Sequence, residues 1–242
     1  MKRVFKVKII SLFPEVFPGV LGVGVIGRAL KKKIWSLKIF NPRDYTINNH
    51  KSVDDTTSGG GPGMILKADV VGRTVAASLK GIKVKKDYSL INLTPRGKPL
   101  TQKTIKRLSK KDGIIVLCGR YEGIDQRISD YYKFEEYSIG DYVLAGGEVA
   151  SQSLIEAVVR LLPNTLGDKE SLKDESFNKD LLEFPQYTRP RIWNGLSIPS
   201  ELQSGNHKLI AEWRIEKSIK LTKKIRPDLL KKYKKKHKTT KK

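Results

Sequence analysis

The chain has 242 residues, 38% of them hydrophobic and 30% charged, with 48 Lys and Arg against 25 Asp and Glu, a formal net charge of +23 at pH 7. That apolar share supports a buried core and excludes a wholly disordered chain, while the basic excess points to a polyanionic partner, nucleic acid ahead of an anionic membrane surface. The single cysteine excludes a disulfide framework and a cysteine-rich zinc site, which makes a reducing, cytoplasmic compartment the simplest expectation.

From the N-terminus, Val4–Leu12 reads as a strand, β-branched and partly alternating. Lys2 and Arg3 precede it, but Lys6, Lys8 and Glu15 interrupt the apolar run, so no signal peptide is expected. The uncharged stretch from Val16 to Gly27 is twelve residues and contains Pro18, well short of the roughly 20 apolar residues of a membrane span. Trp35–Phe40 reads as a second strand, Leu66–Leu79 as a helix, and Tyr88–Leu93 as a third strand. Thr101–Leu108 reads as a short basic helix capped by its threonine. Ile114–Cys118 is continuously apolar, the pattern of a strand covered on both faces in a parallel sheet. Val149–Leu162 is a helix closed by Pro163. This alternation predicts an α/β domain with a parallel sheet. Asn164–Asp180 lacks periodicity and reads as a linker or mobile loop. Helical patterning returns from Lys208 to Leu221, and a second helix is expected after Pro227. Residues 217–242 hold thirteen Lys and Arg against Asp228 alone, and the last ten residues are too polar to fold by themselves.

Two glycine-rich stretches resemble nucleotide motifs only in spelling. Gly22-Val-Gly24-Val-Ile-Gly27 does not follow its strand directly, as a dinucleotide fingerprint must. The Gly59–Met64 stretch lacks the Lys-Ser/Thr ending of a P-loop, which leaves a flexible loop or one that contacts phosphate or base. His50, His207 and His237 are too scattered to suggest a metal site. Three other turns sit where strands end: Leu93–Pro99, Leu117–Asp125 and Ser138–Glu148. Ligands in open α/β sheets bind outside the carboxyl ends of the strands, so these turns are placed to converge on one small molecule.

These segments carry a resemblance. Together with Ser11-Leu12-Phe13-Pro14-Glu15, Asn41-Pro42-Arg43-Asp44-Tyr45, Val53-Asp54-Asp55, Tyr187-Thr188-Arg189-Pro190, Ser204-Gly205-Asn206-His207 and Arg226-Pro227-Asp228-Leu229-Leu230, the chain resembles the bacterial tRNA (guanine-N1)-methyltransferase family of the SPOUT class, nearly end to end. The lysine-dense tail is its own. The resemblance implies a deep trefoil knot in the parallel-sheet domain, although general chain rules argue against knots and spacing shows none. It implies S-adenosylmethionine as cofactor, tRNA as substrate, methylation of N1 of guanosine 37 when guanosine 36 precedes it, and a homodimer with shared active sites. It also implies magnesium, although no ligand cluster is visible. The domains it implies are a knotted catalytic domain over 1–163, a linker over 164–180, and a helical tRNA-binding domain with the basic tail over 181–242.

Carried over by position, the resemblance puts Pro95, Gly119, Tyr121 and Glu122 near the cofactor. Ile139, Gly140, Asp141, Tyr142, Val143 and Leu144 match the stretch that holds adenine and ribose, with Gly146 close by. Asp55, Gly59, Gly60, Gly61, Arg189 and His207 match substrate-binding positions. Arg160 matches the arginine that stabilises the guanine O6. The family's catalytic aspartate precedes Ser-Phe; here Glu175 occupies that place and Asp174 lies one residue earlier. Glu175 keeps the register and Asp174 keeps the residue type. Thr56-Thr57-Ser58 also departs from the family pattern before the glycine loop. The alternative reading is a non-catalytic RNA-binding protein on the same fold.

Overall fold

A computed structural model describes residues 3–82, 87–167 and 175–239. The chain divides into two compact units, residues 1–167 and residues 168–242.

In the first unit the elements are β1 (Phe5–Ile10), α1 (Gly24–Lys31), β2 (Trp35–Phe40), β3 (Asp54–Thr56), β4 (Met64–Leu66), α2 (Ala68–Leu79), β5 (Tyr88–Pro99), α3 (Gln102–Leu108), β6 (Gly113–Leu117), α4 (Gln126–Tyr132), β7 (Glu135–Ser138) and α5 (Gly147–Val159). Five strands form one parallel sheet in the order β2-β1-β6-β5-β7. β6 is the central strand, and all of its residues are buried, which is why its sequence is continuously apolar rather than alternating. Successive side chains point to opposite faces. Ile114, Val116 and Cys118 join the core containing Ile26 of α1, Ile105 of α3 and Leu154 of α5, while Ile115 and Leu117 join the core containing Val71 of α2 and Ile128 of α4. The sheet is thus the middle layer of three.

Thr101 caps α3 by accepting the Thr104 N–H, as its sequence predicts. β5 is longer than predicted. It pairs with β7 through Leu93, leaves the ladder at residues 94–97, and resumes at Lys98, so the stretch read as a loop is an excursion within one strand. The decoy glycines of residues 22–27 lead into α1, which begins at Gly24, far along the chain from the end of β1.

The second unit contains the hairpin β8 (Ile192–Trp193) and β9 (Leu196–Ser197), then α6 (Ser200–Gln203), α7 (His207–Ile225) and α8 (Pro227–Thr239). Asn206 caps α7 by accepting the N–H groups of Lys208 and Leu209 at 3.1 and 3.2 Å. The predicted linker at 164–180 is without helix or strand where it is described; residues 168–174 fall outside the described residues. Of the final ten residues, 233–239 are described, and they are helical with anchoring from outside the segment. α8 is helical as far as Thr239, because Leu229 and Leu230 bury themselves at its start and Lys236 pairs with Asp180 further along. Tertiary anchoring supplies what the polar composition lacks.

Candidate active site

Three loops leave the carboxyl ends of β5, β6 and β7 and meet. Their junction is held by backbone contacts. Arg120 and Gly146 form an antiparallel bridge, the Gly147 N–H donates to the Gly119 carbonyl at 3.0 Å, and the Leu100 N–H donates to the Ser138 carbonyl at 2.8 Å. A Cβ at Gly147 would lie 2.8 Å from the Cys118 Cα, so only glycine lets α5 begin this close to the end of β6. The Ser138 hydroxyl accepts the Gly140 N–H at 3.2 Å and donates to the Gly140 carbonyl at 2.8 Å, which fixes the turn after β7.

The loops enclose a cavity of about 420 Å³, within the range of about 300–1,000 Å³ typical of small-molecule sites. Pro95, Gly119, Tyr121, Glu122, Ile139, Gly140, Tyr142, Val143, Leu144 and Gly146 all line it. Asp141 lies between two lining residues but is itself exposed and does not line the cavity. Sequence reasoning missed part of the wall: Arg96, Gln126 and Tyr137 also contribute. The Arg96 guanidinium donates to Gln126 Oε1 at 2.6 Å and approaches Glu136 at 3.4 Å, which ties the β5 excursion to α4 and β7. Asp125 caps α4, and hydrogen bonding from the Arg127 side chain holds its carboxyl below the usual range despite some burial. Behind the wall, burial first and the Glu148 carboxylate second push the Cys118 thiol well above its ordinary value.

The cavity's character fits a nucleoside-bearing cofactor. Its lining mixes apolar side chains such as Leu93, Ile139 and Leu144 with loop backbone. The N–H groups of Asp141 to Ala145 donate to no other backbone group among the described residues. Backbone edges of this kind recognise purine and ribose without a charged side chain. No group of three or more His, Cys, Asp or Glu comes together to hold a metal ion among the described residues.

The predicted substrate-binding residues divide between the units. The β3–β4 hairpin is fastened to the cavity loop, since the Glu122 N–H donates to the Met64 carbonyl at 3.0 Å and the Leu66 N–H to the Gly123 carbonyl at 3.2 Å. Its exposed tip holds Gly59, Gly60 and Gly61 at φ of 96°, 83° and 107°, a left-handed path that favours glycine. Asp55 stands exposed on β3, 3.6 Å from Lys67. In the second unit, Arg189 lines a separate open groove with Tyr187 and Arg214, and His207 begins α7.

Of the predicted catalytic residues, Arg160 alone shares a unit with the cavity, and it does not line it. Arg160 follows the last residue of α5, whose first residue, Gly147, lines the cavity. Thirteen helical residues at 1.5 Å each put the two ends about 20 Å apart. Glu175 belongs to the second unit, where it lines a small cavity with Lys179 and Arg214. Asp174 falls outside the described residues.

The first unit is thus an open parallel α/β sheet with a cavity built from glycine-rich loops at its carboxyl edge, the edge where ligands bind in such sheets. The chain belongs to the tRNA (guanine-1)-methyltransferase TrmD family, whose profile matches residues 5–232. It is 48% identical over 226 residues to a tRNA (guanine-N(1)-)-methyltransferase of Ruegeria sp. (strain TM1040), covering 93% of this chain and 92% of the relative. It is 49% identical over 227 residues to the protein of the same name from Ehrlichia ruminantium (strain Gardel), covering 93% and 95%. With that of Cereibacter sphaeroides (strain KD131 / KCTC 12085) the identity is 46% over 234 residues, covering 96% and 94%. No helix among the described residues is long and apolar enough to cross a membrane.

Proposed function

We propose that this chain is a tRNA (guanine-N1)-methyltransferase that uses S-adenosylmethionine to methylate N1 of guanosine 37 where guanosine 36 precedes it. The observation that carries the reading is the convergence of the β5, β6 and β7 loops on one cavity in a member of this family. S-adenosylmethionine supplies an electrophilic methyl group. The loop over Ile139–Leu144 is assigned to hold its adenosine part, and Pro95, Gly119, Tyr121 and Glu122 to the opposing wall. The Arg120–Gly146 bridge, which joins the β6 and β7 loops, is where the expected trefoil knot would lie.

Guanine N1 carries a proton at neutral pH and is a poor nucleophile until that proton leaves. A positioned carboxylate that removes it contributes about 10²–10⁴-fold. We assign that role to Glu175, with Asp174 as the competing candidate one residue away. As the proton leaves, negative charge moves toward O6, and a guanidinium aimed there stabilises the transition state more than the ground state. Arg160 is assigned that role. Position 37 lies in a single-stranded loop, so presenting its base costs less than opening a duplex.

The separation of Arg160 from the cavity supports a shared active site. Within one chain the two ends of α5 lie about 20 Å apart, from the rise per residue of a helix, so one cavity would take its arginine from a second copy. The surface by α5 fits such a partner. Val20, Val23 and Val149 are exposed, and Gln152 of α5 donates to the Val16 carbonyl at 3.1 Å, which brings these valines into one region. We therefore infer a homodimer, with exposed apolar surface as its driving contact.

Methyl transfer to a tRNA transcript by the wild type, Glu175→Gln and Asp174→Asn tests the assignment of the base. A fall in kcat of about 10²-fold or more confined to Glu175→Gln supports it. A fall confined to Asp174→Asn moves the role to Asp174. Cofactor binding without transfer by the wild type would favour the non-catalytic RNA-binding alternative.

A further inference from the structure

Two charged side chains line the cavity among the described residues. Arg96 is its only Lys or Arg, and Glu122 its only Asp or Glu. The family resemblance places Glu122 near the cofactor and gives Arg96 no role. Arg96 lies in the β5 excursion, and that excursion is pinned. Leu93 and Lys98, on either side of it, both pair with Tyr137 of β7. A Cβ at Gly97 would lie 2.5 Å from the Tyr137 amide nitrogen, so glycine is required where the chain returns to β7.

The guanidinium itself is held through one nitrogen. Arg96 Nη2 donates to Gln126 Oε1 at 2.6 Å and lies 3.4 Å from Glu136 Oε1. Gln126 is oriented in turn, because its Nε2 donates to Asp130 Oδ1 at 2.9 Å. Glu136 Oε1 also accepts the Ser129 hydroxyl at 2.9 Å and the Asn92 amide at 3.2 Å. Arg96 Nε and Nη1 make no hydrogen bond among the described residues. The side chain is therefore positioned in advance and keeps donors for a ligand, which lowers the ordering cost of binding.

The chemistry of S-adenosylmethionine says which part would use them. Adenine and ribose are uncharged and suit the loop backbone over Ile139–Leu144. The amino-acid end carries an ammonium and a carboxylate. A carboxylate beside Glu122 is repelled, whereas a guanidinium offers it charge-assisted hydrogen bonds and stays charged at any working pH. We propose that Arg96 binds the carboxylate of the amino-acid end of S-adenosylmethionine and so sets the selectivity of the cavity for the complete cofactor. This inference rests on the reading of the cavity as an S-adenosylmethionine site.

The test measures binding by calorimetry, without tRNA, at 0.15 M salt, where charges more than about 8 Å away are largely screened. The ligands are S-adenosylmethionine and decarboxylated S-adenosylmethionine, which keeps the nucleoside, sulfonium and amine. The proteins are the full-length wild type, Arg96→Gln and Arg96→Lys. The wild type should bind S-adenosylmethionine about tenfold more tightly than the decarboxylated form, the low end for hydrogen bonds to a charged group, because the Arg96 side chain is 58% exposed. Arg96→Gln should bind the two about equally, and should bind the decarboxylated form at least as well as the wild type does, which shows the cavity intact. Arg96→Lys keeps the charge without the planar fork and should restore part of the preference. An unchanged preference in Arg96→Gln, or no preference in the wild type, would overturn the proposal. So would an equal loss of both ligands in Arg96→Gln, which would make Arg96 structural, or an unchanged preference with a raised KM for tRNA, which would place it on the RNA. Failure of the wild type to bind S-adenosylmethionine at all would instead overturn the cofactor reading beneath it.

Discussion

The Arg120 guanidinium lies 2.9 Å from the Glu148 carboxylate, whose side chain is only 3% exposed. The second carboxylate oxygen accepts the Ser11 hydroxyl at 2.7 Å. Arg120 also covers the Phe13 ring at 4.3 Å and donates to the Ala145 carbonyl at 3.2 Å. One cluster, buried at Ser11 and Glu148 and partly open at Arg120 and Phe13, therefore ties the end of β1, the β6 loop and the β7 loop together. Neither Arg120 Nε nor Glu148 Oε2 makes an aligned hydrogen bond among the described residues, so charge rather than geometry holds the pair.

Removing one partner of such a pair leaves the other charged and buried. Arg120→Ala should lower unfolding stability by about 3–5 kcal/mol, measured by urea denaturation. Glu148→Gln keeps a group for Ser11 and should cost less, while raising the KM for S-adenosylmethionine more than it lowers kcat. Equal stability of Arg120→Ala and the wild type would remove the pair from the account.

The distance between Gly147 and Arg160 along α5 makes a shared active site testable by mixing. Leu144→Arg places a charge in the cavity lining, and Arg160→Ala removes the candidate O6 contact. If the active site is shared between two copies as proposed, each variant alone should be inactive. Mixed dimers should recover activity, because one of their two sites joins an intact cavity from one copy to an intact arginine from the other. No recovery from mixtures shown to contain the mixed dimer would mean that cavity and arginine act within one chain.

Glu135 supplies a pH signature for the fold. Burial opposes its ionisation, but Tyr137, Ser89 and Arg107 donate to it and together hold its carboxyl below the ordinary 4.5. A depressed carboxylate contributes stability that is present above the ordinary value and lost as pH falls through the lower, folded one. Urea midpoints followed downward from neutral pH should fall below about pH 4.5, a fall that Glu135→Gln reduces because an amide does not titrate. Parallel curves for the two proteins would contradict this.

The parts of the fold that were legible in sequence are those with strong periodicity. β6 could be read because its place at the centre of the sheet demands apolar residues on both faces. α5 and α7 showed through their long apolar stripes. α4 and β7 did not, because Gln126–Tyr132 and Glu135–Ser138 are short and polar. Asp125, which caps α4, is a signal that the sequence carries but that was not read from it. The β5 excursion was hidden by Pro95 and Gly97, residues that ordinarily end strands. Most predicted cofactor residues meet at one cavity, since glycine-rich turns after strands mark the carboxyl edge of a parallel sheet. The Arg120–Glu148 pair was not legible, because nothing in a linear sequence matches residues from separate loops. α8 was read as too polar beyond its first turns, because its anchors, Asp180 and the buried Leu229 and Leu230, act through tertiary packing.

The most direct measurement is transfer of a labelled methyl group from S-adenosylmethionine to two tRNA transcripts, one with guanosines at 36 and 37 and one with adenosine at 37. The modified position is then mapped by the block that N1-methylguanosine presents to reverse transcription. The account predicts label only on the first transcript, with the block at position 37. Label at another position, or equal label on both transcripts, would contradict it.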